Sequence, residues 1–392
     1  LGAVFEERRT KVSDIDYPPL SVTKNGVLPQ LDSAAKTKDG DNRKLVLSGD
    51  FVINSRSDRK GSSGVSDLNG SVSLINIVLK PKRINPGFCN HLLKCNAFIE
   101  EYYRVGRGIV ADLWTTRYDE MRTMMLALPS IEEQTAIANF LDTKTTQIDE
   151  AIAIKEQQIA LLNERKQILI QQAVTQGLDP TVPMKDSGVE WIGKIPEHWQ
   201  VKRLKFVLDE RSERSLTGEE PLFMVSQQYG LVVRADYHEK AVVAASNIDS
   251  KIVYKNDLVF NKLKAHLGVF FKSNMDFKGL VSPDYAVYKV KDYISDTKIL
   301  ELLFRNPLYI EQFTIRATGI VEGLIRLYTS DLFDISIPIA PREEQLEILA
   351  HIEKMSVLFD KAIEIHREQC EKLKEYKTTL INSAVTGKIK VV

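Results

Sequence analysis

Residues 132–175, EEQTAIANFLDTKTTQIDEAIAIKEQQIALLNERKQILIQQAVT, return as residues 343–386, EEQLEILAHIEKMSVLFDKAIEIHREQCEKLKEYKTTLINSAVT. The two stretches align without a gap at a separation of 211 residues, and both begin with Glu-Glu-Gln and end with Ala-Val-Thr. A long internal repeat indicates that each copy is one structural unit. Two copies predict a molecule with pseudo-two-fold symmetry.

The repeat continues outside these stretches. Residues 1–8 resemble residues 204–211, and residues 50–54 resemble residues 257–261. The separation between matching residues varies in the polar segments and is constant where apolar residues recur at helical spacing. This pattern predicts a variable globular domain followed by a constant helical spacer. We therefore expect domains at residues 1–129 and 177–338 and helical spacers at residues 130–176 and 339–392. The segment before Leu204 has no counterpart before Leu1, so we expect the first domain to be truncated at its N-terminus.

Each spacer is predicted to be one long helix. Ser130 followed by Glu133 forms a capping-box pattern, Pro341 suits the first turn of the second helix, and Gly177 and Gly387 are typical C-terminal stops. Apolar residues recur at alternating steps of three and four, as in a coiled coil. Polar residues interrupt both seams at equivalent places, namely Thr145 and Ser356, Lys155 and His366, and Lys166 and Lys377. The matched seams favour pairing of the two helices with each other, in antiparallel orientation, over packing of each helix on its own domain.

The globular domains mix strand-like runs with helical segments. Runs of β-branched and aromatic residues predict strands, for example at residues 51–53, 72–79, 258–260 and 285–290. Helices are predicted at residues 92–103 and 297–304. We expect each domain to be α/β or α+β.

Polar and basic side chains follow the matched strands in both copies. Arginine, lysine, asparagine and glutamine can read base edges or contact phosphates, so these positions are candidates for nucleic-acid contact. The alternative for each is an ordinary solvated loop. The candidates in the first copy are Lys24, Asn25, Arg56, Arg59, Lys60, Arg104 and Arg107, and those in the second are Gln227, Gln228, Lys262, Lys264, His266 and Arg316.

Composition limits the class of protein. With 392 residues the chain is long enough for two domains or more, and its formal net charge of zero argues against indiscriminate polyanion binding. No run of eighteen apolar residues is present, so no membrane span is predicted. Three cysteines indicate a reducing compartment. Cys89, His91 and Cys95 lie close in sequence, but a fourth metal ligand is not evident, and packing is the favoured interpretation.

Catalytic alternatives rest on short matches. Asp284 with Asp296 and Lys298 imitates the acidic-plus-lysine pattern of a metal-dependent nuclease. The first copy has Leu74-Ile75 in place of Pro283-Asp284. No methyltransferase motif is present, since residues 16–19 have the wrong order and residues 105–108 are too short for a nucleotide fingerprint. A structural coiled-coil adaptor is a further alternative, which the paired basic loops disfavour.

The chain as a whole resembles the specificity subunit of type I restriction–modification enzymes. The residues that carry the resemblance are LPSIEEQ…QGLDP (residues 128–180), MKDSGVEWIGKIPEHW (residues 184–199), IAPREEQ (residues 339–345) and LINSAVTGKI (residues 380–389). The resemblance implies an α+β fold with two globular α/β target-recognition domains separated by two long helices, which form an antiparallel coiled coil. Each domain would read one half of a bipartite DNA target, and the coiled coil would set the gap.

The resemblance also implies the partners. These are double-stranded DNA, two modification (methyltransferase) subunits that bind S-adenosylmethionine, and restriction subunits that use ATP and Mg²⁺. It implies no catalytic residues, metal or cofactor in this chain, no membrane, and a place in the cytoplasm of a bacterium or archaeon.

Overall fold

The computed structural model describes residues 1–31, 40–108, 114–237, 247–319 and 325–391, without the side chains of Ser57, Ala265 and His266. The chain divides into two compact units: unit 1 is Leu1–Gln158 with Ile365–Val392, and unit 2 is Ile159–Glu364. Each unit therefore contains one globular domain and a part of both long helices. None of the helices in the described ranges is long and apolar enough to cross a bilayer.

The globular domain of unit 1 is built from short strands and short helices. Its strands are β1 (Phe5–Glu7), β2 (Lys11–Val12), β3 (Leu20–Thr23), β4 (Gly26–Pro29), β5 (Arg43–Val46), β6 (Phe51–Asn54), β7 (Ser63–Val65), β8 (Gly70–Val72) and β9 (Asn76–Pro81), and its helices are α1 (Pro86–Lys94), α2 (Asn96–Arg104) and α3 (Tyr118–Met121). The antiparallel sheet β1-β9-β6-β7 is flanked by the sheet β2-β5-β8 and the hairpin β3-β4. The long helix α4 (Ile131–Gln176) follows.

Unit 2 repeats this plan. Its strands are β10 (Met184–Asp186), β11 (Lys194–Pro196), β12 (Gln200–Arg203), β13 (Leu208–Glu210), β14 (Phe223–Ser226), β15 (Gly230–Val233), β16 (Lys251–Val253), β17 (Leu258–Asn261), β18 (Phe270–Lys272), β19 (Gly279–Val281), β20 (Tyr285–Val290) and β21 (Ser336–Ile339), and its short helices are α5 (Lys298–Leu303), α6 (Pro307–Arg316) and α7 (Thr329–Phe333). The sheet β13-β20-β17-β18 has the order of the main sheet of unit 1, and the hairpin β14-β15 corresponds to β3-β4. The second long helix, α8 (Arg342–Val385), completes the chain.

Each main sheet is braced by a buried arginine–aspartate pair. Arg8 donates two hydrogen bonds to Asp50, at 2.6 and 2.9 Å, and Arg211 donates two to Asp257, at 2.8 and 3.0 Å. The side chains of both aspartates are 3% exposed. A bidentate arginine compensates a carboxylate that water cannot reach.

The predicted helix signals are confirmed. The amide of Ser130 donates to Glu133 Oε2 at 3.0 Å and the amide of Glu133 donates to Ser130 Oγ at 3.3 Å, which completes the capping box before α4. Gly177 and Gly387 follow the two long helices with φ of 78° and 72°, a backbone conformation that glycine adopts without strain.

Within unit 1 the two long helices pair in antiparallel orientation. Lys377 Nζ donates to Asp149 Oδ2 at 2.6 Å, and Lys155 Nζ donates to Gln369 Oε1 at 2.6 Å. Residue numbers thus rise along one helix while they fall along the other. Seam positions such as Ile148 are buried here, as predicted.

The pairing recurs in unit 2. Lys166 Nζ donates to Asp360 Oδ1 at 2.7 Å. Lys166 and Lys377 lie 211 positions apart, as do Asp149 and Asp360, so the predicted polar seam positions carry equivalent ion pairs in the two units. The coiled-coil prediction is confirmed, and the fold is α+β with two globular domains and a pseudo-two-fold repeat.

Two predicted elements are wrong in detail. The run at residues 72–79 is not one strand, because a turn closed by the hydrogen bond from the amide of Asn76 to the carbonyl of Ser73, at 3.0 Å, separates β8 from β9. The predicted helix at residues 92–103 is two helices. Cys95 interrupts it with ψ of 150°, and its sulfur caps α2 by accepting from the amide of Phe98.

Candidate nucleic-acid interface

In unit 1 the turn of the hairpin β3-β4 lies beside the edge strand of the main sheet. Lys24 and Asn25 form this turn and are exposed. A Cβ atom on Gly64 of β7 would lie 2.9 Å from the Cα of Gly26, so the two backbones touch at glycines. The turn is thereby held next to the end of the basic segment that joins β6 to β7.

That basic segment meets a second loop through backbone pairing. Arg56 and Arg107 both pair with Thr115, whose amide donates to the carbonyl of Arg107 at 3.0 Å. The side chains of Arg56 and Arg107 are exposed, and the nearest carboxylate to Arg107, that of Glu120, is 3.7 Å away. Two predicted cations therefore share one edge of the domain.

Three further predicted cations of this domain have close acidic partners. Lys60 pairs with Glu100 at 2.7 Å and Arg104 with Glu101 at 2.6 Å. Arg59 lies 3.6 Å from the carboxylate of its neighbour Asp58. Exposed ion pairs of this kind are weak and exchange readily, so a phosphate could replace the carboxylate. In the structure described here, however, a carboxylate balances the charge of each of these three side chains.

Unit 2 places the corresponding hairpin turn in the same way. Gln227 and Gln228 are exposed in the turn of β14-β15, and Gly230 packs against the ring of Phe271 in β18. Gly230 has φ of 79°, which the turn requires. Glutamine at an exposed tip can make paired hydrogen bonds to adenine.

Two aromatic side chains beside this turn were missed by the sequence analysis. Tyr229 and Tyr237 have ring centroids 4.7 Å apart, and about half of each residue is exposed. Exposed tyrosines combine an apolar face with a hydroxyl that can reach a phosphate or a base. Their spacing of eight residues around a short hairpin was the available signal.

The basic segment after β17 is a 3-10 turn at Lys262–Leu267. The carbonyl of Lys262 accepts from the amide of Leu327 at 3.1 Å, and its ammonium lies 3.7 Å from Glu210. Burial lowers the pKa of Lys262. Lys264 is exposed, whereas the side chain of His266 lies outside the described residues. Lys262 therefore supports the local fold, and Lys264 is better placed to meet a ligand.

The second loop of unit 2 differs from the prediction. Arg316 ends α6 and donates to Gln312 of the same helix. The counterpart of Arg107, 211 positions on, is Thr318, which pairs with Arg326 through two backbone hydrogen bonds of 2.9 Å. Arg326 is thus the cation of this loop, and its guanidinium lies 3.4 Å from Asp284. Applying the constant separation of 211 residues to Thr115 leads to Arg326, so the repeat would have identified this position.

Each unit thus gathers the same three segments beside its main sheet: the hairpin turn, the basic segment after the central strand, and the bridged loop before the last short helix. The exposed donors among them are Lys24, Asn25, Arg56, Arg107, Gln227, Gln228 and Lys264, and Arg326 is half-buried. Arginine and amide side chains are the usual donors to base edges, and lysine to phosphates. The arrangement can bind an anionic, base-bearing polymer.

The proposed nuclease pattern does not converge on one ion. Asp284 directly precedes Tyr285 of β20. Asp296 binds the ammonium of Lys272 of β18, at 2.7 Å, and Lys272 lies across β17 from Tyr288 of β20. Three residues of extended chain, about 10 Å, lie between those two levels. Each carboxylate is compensated by a different cation.

The cysteine and histidine residues considered as metal ligands lie in different surroundings. Cys89 is fully buried in the apolar core of unit 1, and burial raises the pKa of its thiol well above the usual range. Cys95 is also buried there, and His91 Nε2 lies 2.7 Å from Asp142. Packing accounts for both thiols.

No family model matches this chain. Two curated relatives from Methanocaldococcus jannaschii are similar to it. The type I restriction enzyme MjaVIII specificity subunit is 25% identical over 281 residues, which cover 68% of this chain and 62% of the relative. The putative type I restriction enzyme MjaX specificity subunit is 25% identical over 283 residues, covering 69% and 61%. The aligned region spans about three-fifths of the length of these relatives.

Solved structures share the fold. The HsdS subunit from Thermoanaerobacter tengcongensis superposes with a TM-score of 0.57 at 17% identity, covering 99% of this chain and 96% of that one. A chain from a structure on complex assembly and conformational transition of the type I restriction–modification system superposes with a TM-score of 0.67 at 15% identity, covering 97% of both chains. These comparisons confirm the resemblance to type I restriction enzyme specificity subunits and the repeated two-domain fold that it implies.

Proposed function

We propose that this chain is the DNA-recognition subunit of a type I restriction–modification complex, and that each globular domain reads one half of a bipartite target. The observation that carries the proposal is the recurrence of three polar, ligand-accessible segments at equivalent places beside both main sheets. The similarity to named specificity subunits supports it. A repeated interface suits duplex DNA, whose two strands are themselves related by two-fold symmetry.

The two domains would read different sequences because their exposed side chains differ. Arg56 and Arg107 in unit 1 suit guanine, which arginine contacts through O6 and N7. Gln227 and Gln228 in unit 2 suit adenine, which glutamine contacts through N6 and N7. A shared backbone plan with unlike side chains is what two unlike half-sites require.

The partners follow from the same proposal. Two modification subunits would supply S-adenosylmethionine and methyl transfer, and restriction subunits would supply ATP- and Mg²⁺-dependent cleavage, in the cytoplasm. The chain itself would be non-catalytic, because Asp284, Asp296 and Lys298 each have a different partner: Arg326 at 3.4 Å, Lys272 at 2.7 Å and Glu301 at 2.6 Å. Nuclease or methyltransferase activity in the purified chain that disappears in Asp284→Ala would contradict this.

A gel-shift assay with random-sequence duplex DNA, with and without the cognate methyltransferase subunit, tests the function. We expect a shift of the duplex DNA that is strongest in the complex. Each phosphate contact contributes about 0.9 to the slope of log affinity against log salt, so loss of a phosphate-contacting cation should lower that slope by roughly that amount.

The variant Arg56→Ala with Arg107→Ala should weaken binding. Lys374→Ala, which removes an exposed cation of α8 paired with Glu371 at 2.9 Å, is the matched control and should bind as the parent does. A coiled-coil adaptor would show no DNA-dependent shift.

A further inference from the structure

The turn of the hairpin β14-β15 is one residue longer than its counterpart in unit 1. In β3-β4 two residues, 24 and 25, separate the paired ends of the strands. In β14-β15 three residues, 227–229, separate Ser226 from Gly230, which pair with each other. The third of them is Tyr229, which directly precedes the glycine that both turns share. The longer turn therefore carries an aromatic side chain that the turn of unit 1 does not have.

Hydrogen bonds hold the backbone of this hairpin at both ends. The amide of Tyr229 donates to Ser226 Oγ at 3.3 Å, within the turn. After β15, the amide of Tyr237 donates to the carbonyl of Arg234 at 3.2 Å, and the amide of Arg234 donates to the carbonyl of Leu222 at 2.8 Å. Both tyrosines thus extend from a hydrogen-bonded backbone, one in the turn and one beyond the second strand.

The rings of Tyr229 and Tyr237 pack on each other. Their centroids are 4.7 Å apart and their planes are inclined by 35°. This separation lies in the range in which aromatic rings attract each other. About half of each residue is exposed, so this tyrosine pair keeps apolar ring surface in contact with water. Tyrosine has few side-chain torsions, so a ring that is already packed on its neighbour loses little conformational entropy when a ligand covers it.

Duplex DNA offers one kind of apolar group on its base edges. In the major groove this group is the C5-methyl of thymine, and the other groups at the base edges are hydrogen-bond donors and acceptors. Gln227 and Gln228, the two residues before Tyr229, are exposed amides that suit the N6 and N7 atoms of adenine. The amides and the apolar surface of one turn thus match the two bases of an A·T pair, or of two neighbouring A·T pairs. A G·C pair has no methyl group at this position.

We propose that the tyrosine pair contacts the C5-methyl group of a thymine in the half-site that unit 2 reads, next to an adenine held by Gln227 or Gln228. This contact rests on the proposed function and specifies the type of base pair that the turn selects. The turn of unit 1 has no aromatic residue and makes no such contact. Tyr229 and Tyr237 are therefore specificity determinants of one half-site only.

The methyl group sets the size of the expected effect. Burying one methyl or methylene group against apolar surface strengthens binding by about fourfold. Deoxyuridine pairs with adenine as thymidine does and differs from it only by the missing methyl group. Replacing thymidine by deoxyuridine therefore removes the methyl contact and leaves unchanged the hydrogen-bonding groups that Gln227 and Gln228 would use.

The test uses the chain in complex with its methyltransferase subunit and a duplex that carries the bipartite motif selected from a random pool. Deoxyuridine replaces thymidine in one half-site at a time. In the half-site of unit 2 the replacement should weaken binding to the parent chain by about fourfold for each contacted methyl group. A control duplex carries deoxyuridine only in the unread gap between the half-sites, and its affinity should equal that of the thymidine duplex.

Variants of the chain assign the effect to the ring. Tyr229→Ala should bind the thymidine and deoxyuridine duplexes equally, whereas Tyr229→Phe should retain the difference because the hydroxyl takes no part. Phe206→Ala is the matched control, since it removes another exposed ring of unit 2 that lies outside the three interface segments, and it should retain the difference as well. Equal melting temperatures of the parent chain and Tyr229→Ala would show that the fold is intact.

Equal binding of the thymidine and deoxyuridine duplexes by the parent chain would overturn the proposal. A difference that persists in Tyr229→Ala, or that disappears in Tyr229→Phe, would overturn it as well. These results leave a bipartite motif in place, so they are distinguishable from a failure of the proposed function. That failure would be the absence of any DNA shift or a single uninterrupted motif, and it would overturn the thymine contact with it.

Discussion

Asp50 and Asp257 show how single residues carry the repeat. Each directly precedes an inner strand of a main sheet and accepts two hydrogen bonds from an arginine. Each also accepts a hydrogen bond from the backbone amide of the residue three positions earlier, which is Leu47 for Asp50, at 2.9 Å, and Tyr254 for Asp257, at 2.8 Å. Sequence matching had paired these aspartates but gave no reason for them. The reason is electrostatic, since a carboxylate with so little solvent needs several donors.

Replacing Asp50 by alanine should destabilise unit 1 selectively. The guanidinium of Arg8, 17% exposed, would lose its counter-ion, and breaking a buried pair costs about 3–5 kcal/mol. Hydrogen exchange should show faster exchange in β1, β6 and β9 and little change in unit 2. Asp58→Ala, at an exposed position, is the control. Uniform loosening of both units would contradict an effect confined to unit 1.

Cys89 should be unreactive in the folded chain. Burial raises the pKa of its thiol, so the thiolate that alkylating reagents attack is scarce at neutral pH, and raising the pH within the folded range should restore little reactivity. Iodoacetamide labelling followed by peptide mass spectrometry should find Cys89 modified only after denaturation. Rapid native labelling that zinc suppresses would instead revive the metal interpretation of Cys89, His91 and Cys95.

Some positions of the candidate interface could be predicted from the sequence and others could not. Lys24, Arg56 and Gln227 follow from polar turns after matched strands. Arg326 was missed because its counterpart is a threonine, so residue type gave no match, while backbone pairing fixes the position. Lys262 was predicted to contact nucleic acid, but its side chain is only 19% exposed and its ammonium lies 3.7 Å from Glu210, which sequence alone does not reveal.

The long helices are the elements that the sequence predicts best. Their heptad spacing is local, and it reports directly which side is buried. The Glu-Glu-Gln repeat has a role that spacing did not show. Gln134 donates to the carbonyl of Pro129 and accepts from the amide of Asn85, both at 2.9 Å, so it fastens the start of α4 to the globular domain. Short elements such as the break at Cys95 depend on a single side-chain cap and escaped prediction.

Gln345, the counterpart of Gln134, should be needed for the junction in unit 2. It is 2% exposed, donates to the carbonyls of Tyr293 and Ala340 at 2.8 Å, and accepts from the amide of Ser295 at 2.9 Å. Gln345→Ala leaves buried backbone groups unpaired, at about 1–3 kcal/mol. Urea unfolding should show the loss, whereas Glu343→Ala, on the exposed side of the same turn, should change stability by less than about 0.5 kcal/mol.

The length of α4 and α8 should set the unread gap of the DNA target. Both helices run without a break from one unit into the other, with the change of unit after Gln158 in α4 and after Glu364 in α8. Four residues added to each helix, in register and near Gln157 in α4, contribute about 6 Å of rise and about 40° beyond a full turn. One base pair advances about 3.4 Å and turns about 36°.

The insertion should therefore lengthen the gap by one or two base pairs and leave both half-site sequences unchanged. Genome-wide mapping of methylated positions in cells that carry the insertion decides it. A matched chain with four substitutions at the same place, and no added length, should keep the original gap. Normal methylation at the original spacing in the insertion variant would show that the helices do not set the gap.

At the scale of the whole molecule, the repeat is the organising feature. Each compact unit combines one globular domain with a part of both helices, so the unit boundary crosses the spacers that the sequence analysis had treated as separate segments. The sequence revealed the repeat because identical residues recur at one separation. It could not reveal which half of each helix supports which domain, because that depends on antiparallel pairing between residues some two hundred positions apart.

The central claim is that each unit reads one half of the target independently. Selection of bound DNA from a random duplex pool, in complex with the cognate methyltransferase subunit, measures this directly for the parent chain and for two variants. One variant is Arg56→Ala with Arg107→Ala in unit 1, and the other is Lys264→Ala with Arg326→Ala in unit 2. We predict a bipartite motif in which each variant relaxes one half only, by about 1–3 kcal/mol for each lost base contact. A single uninterrupted motif, or loss of both halves in either variant, would contradict the account.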